Sequence, residues 1–128
     1  MKWVTRENAK VDRVACPWLI TRFIDPQAEF LFVPREHVLE AARREGAHSF
    51  DAEGAEFGHR GRQCTFETLI EAYRLQSPAL ARLAAIVHDS DVPEDLGIAP
   101  EAAGLLAISE GIAKVSPDDH RKLQLLFP

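Results

Sequence analysis

The sequence predicts an α/β (or α+β) domain in which a small sheet of three to four strands has flanking helices and a mainly helical C-terminal half. Two observations predict it. Before residue 52, short apolar or β-branched runs alternate with helical patterns, and after residue 64 only helical periodicity remains. At 128 residues and 46% hydrophobic content, the chain fits one domain, residues 1–128, with a single core.

Three strands are predicted in the first half of the chain. Residues 2–6 combine an aromatic residue with β-branched residues, which is typical of a short strand. Residues 28–33 are strongly apolar, as expected of a strand that is buried on both faces of a central sheet. Residues 48–51 form the third strand, which would deliver Asp51 to one end of the sheet.

Two helices are predicted between these strands. Residues 13–24 repeat apolar side chains at helical spacing, and Asp12 offers an N-cap. Pro17 deletes a backbone hydrogen bond in this helix, so the helix either begins near Cys16 or is kinked there. Residues 35–45 form a charged surface helix that a glycine ends.

Four further helices are predicted in the C-terminal half. Each begins at a capping residue or at a proline in its first turn, and the chain breaks between the second and third helices at residues 91–93. They cover residues 65–74, 78–88, 100–109 and 117–127.

Composition limits the classes of partner. A net charge of −5 gives no basic surface for a polyanion, so nucleic acid binding is unsupported for this chain alone. The longest apolar runs are far shorter than the roughly 20 residues of a membrane helix. The N-terminus lacks the apolar region of a secretory signal, and the two cysteines read as thiols of a reducing compartment, so we expect a cytoplasmic protein. A homo-oligomer is compatible with the sequence.

Residues 50–67 concentrate reactive side chains, which predicts a functional site in or near this segment. The segment contains carboxylate, imidazole and thiol groups that can ligate a metal, and two more potential ligands lie at the end of the helix predicted over residues 78–88. Together they would suit a divalent ion such as iron, manganese or zinc. The structural alternative is that the carboxylates and histidines form helix caps and salt bridges and that the thiol is buried and inert. The metal candidates are Glu56, His59, Cys64, Glu67, His88 and Asp91.

Arginines in the same region predict a second kind of ligand. Arg60 lies on a glycine-rich turn ahead of a helix N-terminus, and Arg13 lies in the first turn of the first helix. Forked guanidinium groups near free N–H groups bind tetrahedral oxyanions. The alternative is that both arginines are solvated partners of nearby carboxylates. A Cys64 nucleophile activated by His59 or by its helix N-terminus is a further hypothesis.

Several blocks of the chain, in order, resemble the C-terminal domain of the chromate-resistance ChrB family. They are Trp3-Val4-Thr5-Arg6, Val11-Asp12-Arg13, residues 18–25, Phe50-Asp51, Gly54-Ala55-Glu56-Phe57 with His59, Cys64-Thr65-Phe66-Glu67 and residues 86–91. The resemblance implies a cytoplasmic role in chromate resistance, with some members looking like chromate-responsive regulators. The shared polar positions that it implies are Asp12, Arg13, Trp18, Arg22, Asp51, Glu56, His59, Cys64, Glu67, His88 and Asp91.

Together these observations predict a domain that handles a metal ion or an oxyanion such as chromate, as a sensor or as an enzyme. We expect Glu56, His59, Glu67 and His88 to converge on one cavity. The alternative is a non-catalytic regulatory or structural module whose polar cluster is a hydrogen-bonded core and which works through a partner domain.

Overall fold

The computed structural model describes residues 1–95 and 98–127 and shows a mixed α/β fold. Three parallel strands lie in the order β2-β1-β3, with bounds β1 (Lys2–Arg6), β2 (Glu29–Val33) and β3 (His48–Ser49). The register pairs Lys2 with Glu29 and Trp3 with His48. The predicted α/β class and all three strand positions are confirmed.

The prediction that the strand of residues 28–33 is buried on both faces is wrong. β2 lies at the edge of the sheet, Glu29 is exposed, and the other four residues are only half-buried. β1 is the central strand, and its Trp3 and Val4 are fully buried. The apolar character of β2 arises because its rings pack against helices, as where Phe32 contacts the ring of His120 edge-on.

The first helix is α1 (Asp12–Leu19), which continues as a π-helical segment (Ile20–Ile24). The predicted N-cap role of Asp12 is wrong, because Asp12 is the first helical residue and its side chain makes no cap within α1. A start near Cys16 is also wrong, since Pro17 lies inside the helix. Val11 stands at the N-cap position with a positive φ of 23°.

The other helices lie close to their predicted positions. Their bounds are α2 (Val38–Glu45), α3 (Thr65–Ala72), α4 (Pro78–Asp91), a 3-10 turn (Pro93–Asp95), α5 (Ala102–Val115) and α6 (Asp119–Leu126). α2 follows a 3-10 turn (Arg35–His37), and Gly46 is its C-cap, whose φ of 63° suits the left-handed conformation. α4 extends three residues beyond the predicted end, and α5 begins and ends later than predicted.

The main hydrophobic core joins the sheet to α1, α3 and α4. Its fully buried members include Trp3, Leu19, Phe50, Phe66 and Leu69. Burying side chains of this size contributes roughly 1.5–3 kcal/mol each. Within the described residues, no helix is both long enough and apolar enough to cross a lipid bilayer.

Parallel strands place their carboxyl ends at the same edge of the sheet, and Arg6 and Asp51 lie at or just after two of these ends. β1 ends at Arg6 and leads into α1, while β3 leads through Phe50 to Asp51. Asp51 adopts a positive φ of 48°, a backbone conformation that is uncommon outside glycine. The start of α3 and the end of α4 meet these residues, as the contacts below show.

Candidate functional site

The carboxylate of Asp12 joins the start of α1 to the start of α3. It is fully buried and accepts the N–H groups of Thr65 at 2.9 Å and Phe66 at 3.1 Å. The thiol of Cys16 also donates to it, at 3.3 Å. Burial raises the pKa of Asp12. Asp12, which was predicted to cap α1, therefore caps α3 instead.

Asp51 lies beside Asp12 and gathers two arginines. Its Oδ2 lies 3.3 Å from Nη1 of Arg13 and 3.7 Å from Nη2 of Arg6, and its Oδ1 accepts the hydroxyl of Thr65 at 2.9 Å. Burial disfavours the charge of Asp51, but His59 and Arg13 outweigh it and lower the pKa of Asp51. Asp51 is thus an ionised carboxylate held between two cations.

His59 lies at the centre of three carboxylates from three different chain segments. Its Nε2 is 3.1 Å from Oδ2 of Asp91, 3.3 Å from Oδ1 of Asp51 and 3.6 Å from Oδ2 of Asp12. The carboxylates of Asp12 and Asp51 raise the pKa of His59 to about 10. When no metal ion is bound among these carboxylates, the imidazole of His59 is protonated at neutral pH.

Asp91 closes this group from the last residue of α4. Burial, together with the charges of Asp12 and Asp51, raises the pKa of Asp91 to about 7. Ligand atoms of Asp12, His59 and Asp91 all lie within 4.8 Å of one another, so these residues could hold a metal ion. We call the group of Asp12, Asp51, His59 and Asp91 the His59 cluster.

A second polar group lies one turn earlier on α4, around His88. Its Nδ1 is 2.5 Å from Oε1 of Glu67, and its Nε2 is 2.6 Å from Oδ2 of Asp95. Burial opposes the charge of His88, but the hydrogen bonds to Asp95 and Glu67 raise its pKa. Cys64 completes the group, with its sulfur, the Glu67 oxygen and the His88 nitrogen within 4.8 Å of one another. We call Cys64, Glu67, His88 and Asp95 the His88 cluster.

An open cavity of about 470 Å³ borders the His59 cluster. It is lined by four cationic side chains and three carboxylates, and the glycines and alanines of the loop after β3 form part of its wall. The charged residues are Arg6, Arg35, His59, Arg60, Asp51, Glu53 and Glu56.

The two arginines that the sequence proposed for an oxyanion lie apart. Arg60 is exposed and lines the cavity, while its backbone pairs with Gln63. Arg13 does not line it, because its guanidinium bonds Asp51 and the carbonyl of Asn8, at 3.1 Å. The structure makes Arg13 a partner of Asp51, and the expectation that Arg13 and Arg60 bind one oxyanion directly stays a prediction.

The structure divides the four residues that were expected to share one cavity. His59 joins Asp91, while Glu67 joins His88 in the separate His88 cluster. Glu56 accepts a hydrogen bond from Nδ1 of His48 at 2.8 Å, and it meets His59 only as another part of the cavity wall. The prediction that all four residues line one cavity is wrong, because Glu56 and His59 line the cavity of about 470 Å³ whereas Glu67 and His88 pair with each other outside it.

Three residues of these clusters are absent from the candidate metal and oxyanion sets drawn from the sequence. Asp12 was interpreted as a local cap, and Asp51 as a strand end or an arginine partner. Asp95 was not singled out, although it lies seven residues after His88, just beyond the break that ends α4. Asp95 could have been found from its position. It is a carboxylate just after the predicted helix break at residues 91–93, and that break follows His88.

The sequence-family model for the ChrB C-terminal domain matches residues 3–127 of the chain. The chain belongs to the ChrB C-terminal domain family. A curated relative, Protein ChrB of Cupriavidus metallidurans, is 42% identical over 127 residues. That match covers 95% of this chain and 36% of the relative, so the chain spans about a third of that ChrB protein. No solved structure matches the chain significantly.

Proposed function

We propose that this ChrB-type domain has a role related to chromate resistance and binds a small oxyanion such as chromate in the cavity beside His59. One observation carries the proposal. Arg60 lines that cavity with no side-chain partner among residues 1–95 and 98–127, next to an imidazole that three carboxylates keep protonated. A guanidinium binds tetrahedral oxyanions through two parallel N–H groups.

Two of the three acidic residues of the cavity have an arginine partner. Asp51 is paired with Arg13, and Glu53 lies 3.6 Å from Arg35. Glu56 instead accepts a hydrogen bond from Nδ1 of His48. Paired carboxylates repel an incoming anion less than free ones do, because their fields are partly cancelled by the partner cation. Arg60, which has no carboxylate partner among the described residues, therefore supplies positive charge that is free to attract an anion into the cavity.

The positions of the thiols favour a sensor over a thiol-based enzyme. Cys16 and Cys64 are the two cysteines of the chain, and both are fully buried. Burial raises the pKa of the Cys64 thiol and of the Cys16 thiol. A buried thiol that stays protonated is a poor nucleophile and a poor electron donor to an anion in the cavity. The hypothesis of a Cys64 nucleophile loses its support.

Isothermal titration of chromate into the protein tests the proposal. Replacing Arg60 by Gln should weaken binding roughly 10- to 150-fold, since a hydrogen bond to a charged group contributes about 1.5–3 kcal/mol. Arg43→Gln is the matched control, because Arg43 is an exposed arginine of α2 that lies outside the cavity. Equal affinities of wild type and Arg60→Gln, or no binding by wild type, would refute the proposal and favour a purely structural polar core.

A divalent metal held by the His59 cluster is the second candidate. The hydrogen bonds of Asp12 to α3 and of Asp51 to Thr65 fix two carboxylates facing Nε2 of His59, and preoriented ligands of this kind are typical of metal sites. The N/O donor set suits Mn²⁺ or Fe²⁺.

Asp91→Asn separates the two candidates for the His59 cluster. The substitution removes a metal ligand and should weaken Mn²⁺ binding, measured by electron paramagnetic resonance. It also removes a negative charge near His59, so chromate binding should stay the same or strengthen. Weaker chromate binding in Asp91→Asn, together with loss of Mn²⁺ binding, would favour the metal.

A further inference from the structure

We infer that Cys64, Glu67 and His88 form a separate site for a zinc-class divalent cation, with Asp95 orienting the imidazole. Sulfur, oxygen and nitrogen donors from three side chains meet there, within 4.8 Å of one another. A thiolate with an imidazole and a carboxylate is a donor set that suits Zn²⁺ and its spectroscopic substitute Co²⁺. Three protein ligands would leave the fourth tetrahedral position to water.

The start of α3 places two of the three ligands. Cys64 stands at the N-cap position and Glu67 three residues later, so both side chains lie at the first turn of the helix. Oε1 of Glu67 accepts the backbone N–H of Cys64 at 3.0 Å, which holds the carboxylate beside the thiol. Local helix geometry therefore preorganises this pair.

Asp95 determines which nitrogen of His88 faces the pair. Its Oδ2 lies 2.6 Å from Nε2, and Arg62 approaches its other oxygen at 3.8 Å. A carboxylate on Nε2 keeps the proton on that nitrogen, which leaves the lone pair of a neutral imidazole on Nδ1. Nδ1 is the atom that points at Glu67. Histidine ligands of zinc characteristically have such a carboxylate on the other ring nitrogen.

The separations of the donor atoms fit an ion after a small adjustment. Bonds of about 2.0 Å in a tetrahedral site place nitrogen and oxygen ligands roughly 3.3 Å apart. Nδ1 and Oε1 are 2.5 Å apart as a hydrogen bond, so they need to separate by less than 1 Å when an ion replaces the shared proton. The thiol gives up its proton at the same step, as metal-binding cysteines do.

This site is independent of the proposed oxyanion cavity. None of its three ligands lines that cavity, and His59, Arg60 and Asp91 are not among them. Chromate binding could fail while this site binds metal, and the reverse also holds. The two proposals are therefore tested separately.

Titration of metal-free protein with Co²⁺ tests the site through a signal that only a thiolate ligand gives. One equivalent of Co²⁺ should produce the near-ultraviolet charge-transfer band of a sulfur–cobalt bond, and Zn²⁺ should abolish the band by displacement. Cys64→Ser should remove the band while α3 still forms, because serine is a favoured N-cap residue. Asp95→Asn should keep the band but weaken Co²⁺ affinity about 10- to 100-fold.

Cys16→Ser is the matched control, since Cys16 is the other buried thiol and contacts Asp12 instead of the His88 cluster. It should retain the band, and circular dichroism should show every variant folded. No charge-transfer band in the wild type at saturating Co²⁺ would overturn the inference. A band that persists in Cys64→Ser would overturn it as well.

Discussion

Asp12 accepts the backbone N–H of Thr65 at 2.9 Å, although the two residues are 53 positions apart in the chain. This contact and the adjacent one to Phe66 satisfy two N–H groups at the start of α3 that the helix itself leaves without partners. The same carboxylate faces His59. The fold and the candidate site therefore depend on one side chain.

Replacing Asp12 by Ala should lower the free energy of unfolding by about 2–4 kcal/mol, because two buried N–H groups lose their acceptor. Asp12→Asn keeps one acceptor oxygen and should have a smaller effect. Urea denaturation followed by circular dichroism measures both. Asp118→Ala is a suitable comparison, since Asp118 caps α6 at an exposed position through a contact of 3.1 Å with the N–H of His120. A loss for Asp12→Ala no greater than that for Asp118→Ala would contradict the capping role.

This contact also explains what the sequence could and could not predict. Residues 2–6, 35–45 and 78–88 were predicted well because β-branched content, helical periodicity and proline at the first turn are local signals. Asp12 was misinterpreted because the N–H groups that donate to its carboxylate belong to α3, which begins 53 residues further along the chain. Residues 28–33 were predicted to be buried on both faces because apolar content alone does not reveal how far each face of an edge strand is covered.

The site could be predicted as a region but not as contacts. His59, Cys64, Glu67, His88 and Asp91 all lie in the two polar clusters, as their density in the sequence suggested. Their division between the clusters depends on which helix end each side chain meets, and no spacing along the chain encodes that.

Arg13 is predicted to influence oxyanion binding indirectly, through the charge of Asp51. Arg13→Ala leaves that carboxylate, which lines the cavity, less neutralised, and chromate affinity should fall. The double variant Arg13→Ala/Asp51→Asn removes the carboxylate charge that Arg13 no longer neutralises and should recover much of the loss. A double-mutant cycle of titrations measures this coupling. Losses that simply add in the double variant would show instead that Arg13 contacts the anion directly.

The pH dependence of stability should reveal the raised pKa of His59. Its folded-state pKa of about 10 lies above the ordinary value of 6.5. The stability that His59 contributes is therefore fully present below about pH 6.5 and is lost as the pH rises toward 10. Unfolding free energies of wild type and His59→Gln should differ more at about pH 6 than at about pH 10, and nuclear magnetic resonance should show the imidazole protonated at pH 8. A midpoint near 6.5 would contradict the arrangement.

Asp119 anchors the loop that precedes α1, and its loss should be costly. Its oxygens accept the N–H groups of Asn8 at 2.8 Å and Ala9 at 2.6 Å, and the buried ammonium of Lys122 at 3.1 Å. Asp119→Ala should lower the free energy of unfolding by about 3–5 kcal/mol, because it leaves Lys122 buried without a counter-ion. Adding Lys122→Met should restore part of the loss in urea denaturation. No recovery in the double variant would show that the loop contacts, not the ion pair, account for the effect.

A crystal structure of the protein soaked with chromate tests the central claim most directly. Anomalous scattering locates chromium without reference to the shape of the ligand density. The account predicts one strong chromium peak inside the cavity, beside His59. The chromate oxygens should lie within hydrogen-bond distance of the guanidinium of Arg60. A peak bound elsewhere on the chain, or no peak at saturating chromate in crystals whose cavity is open to solvent, would contradict it.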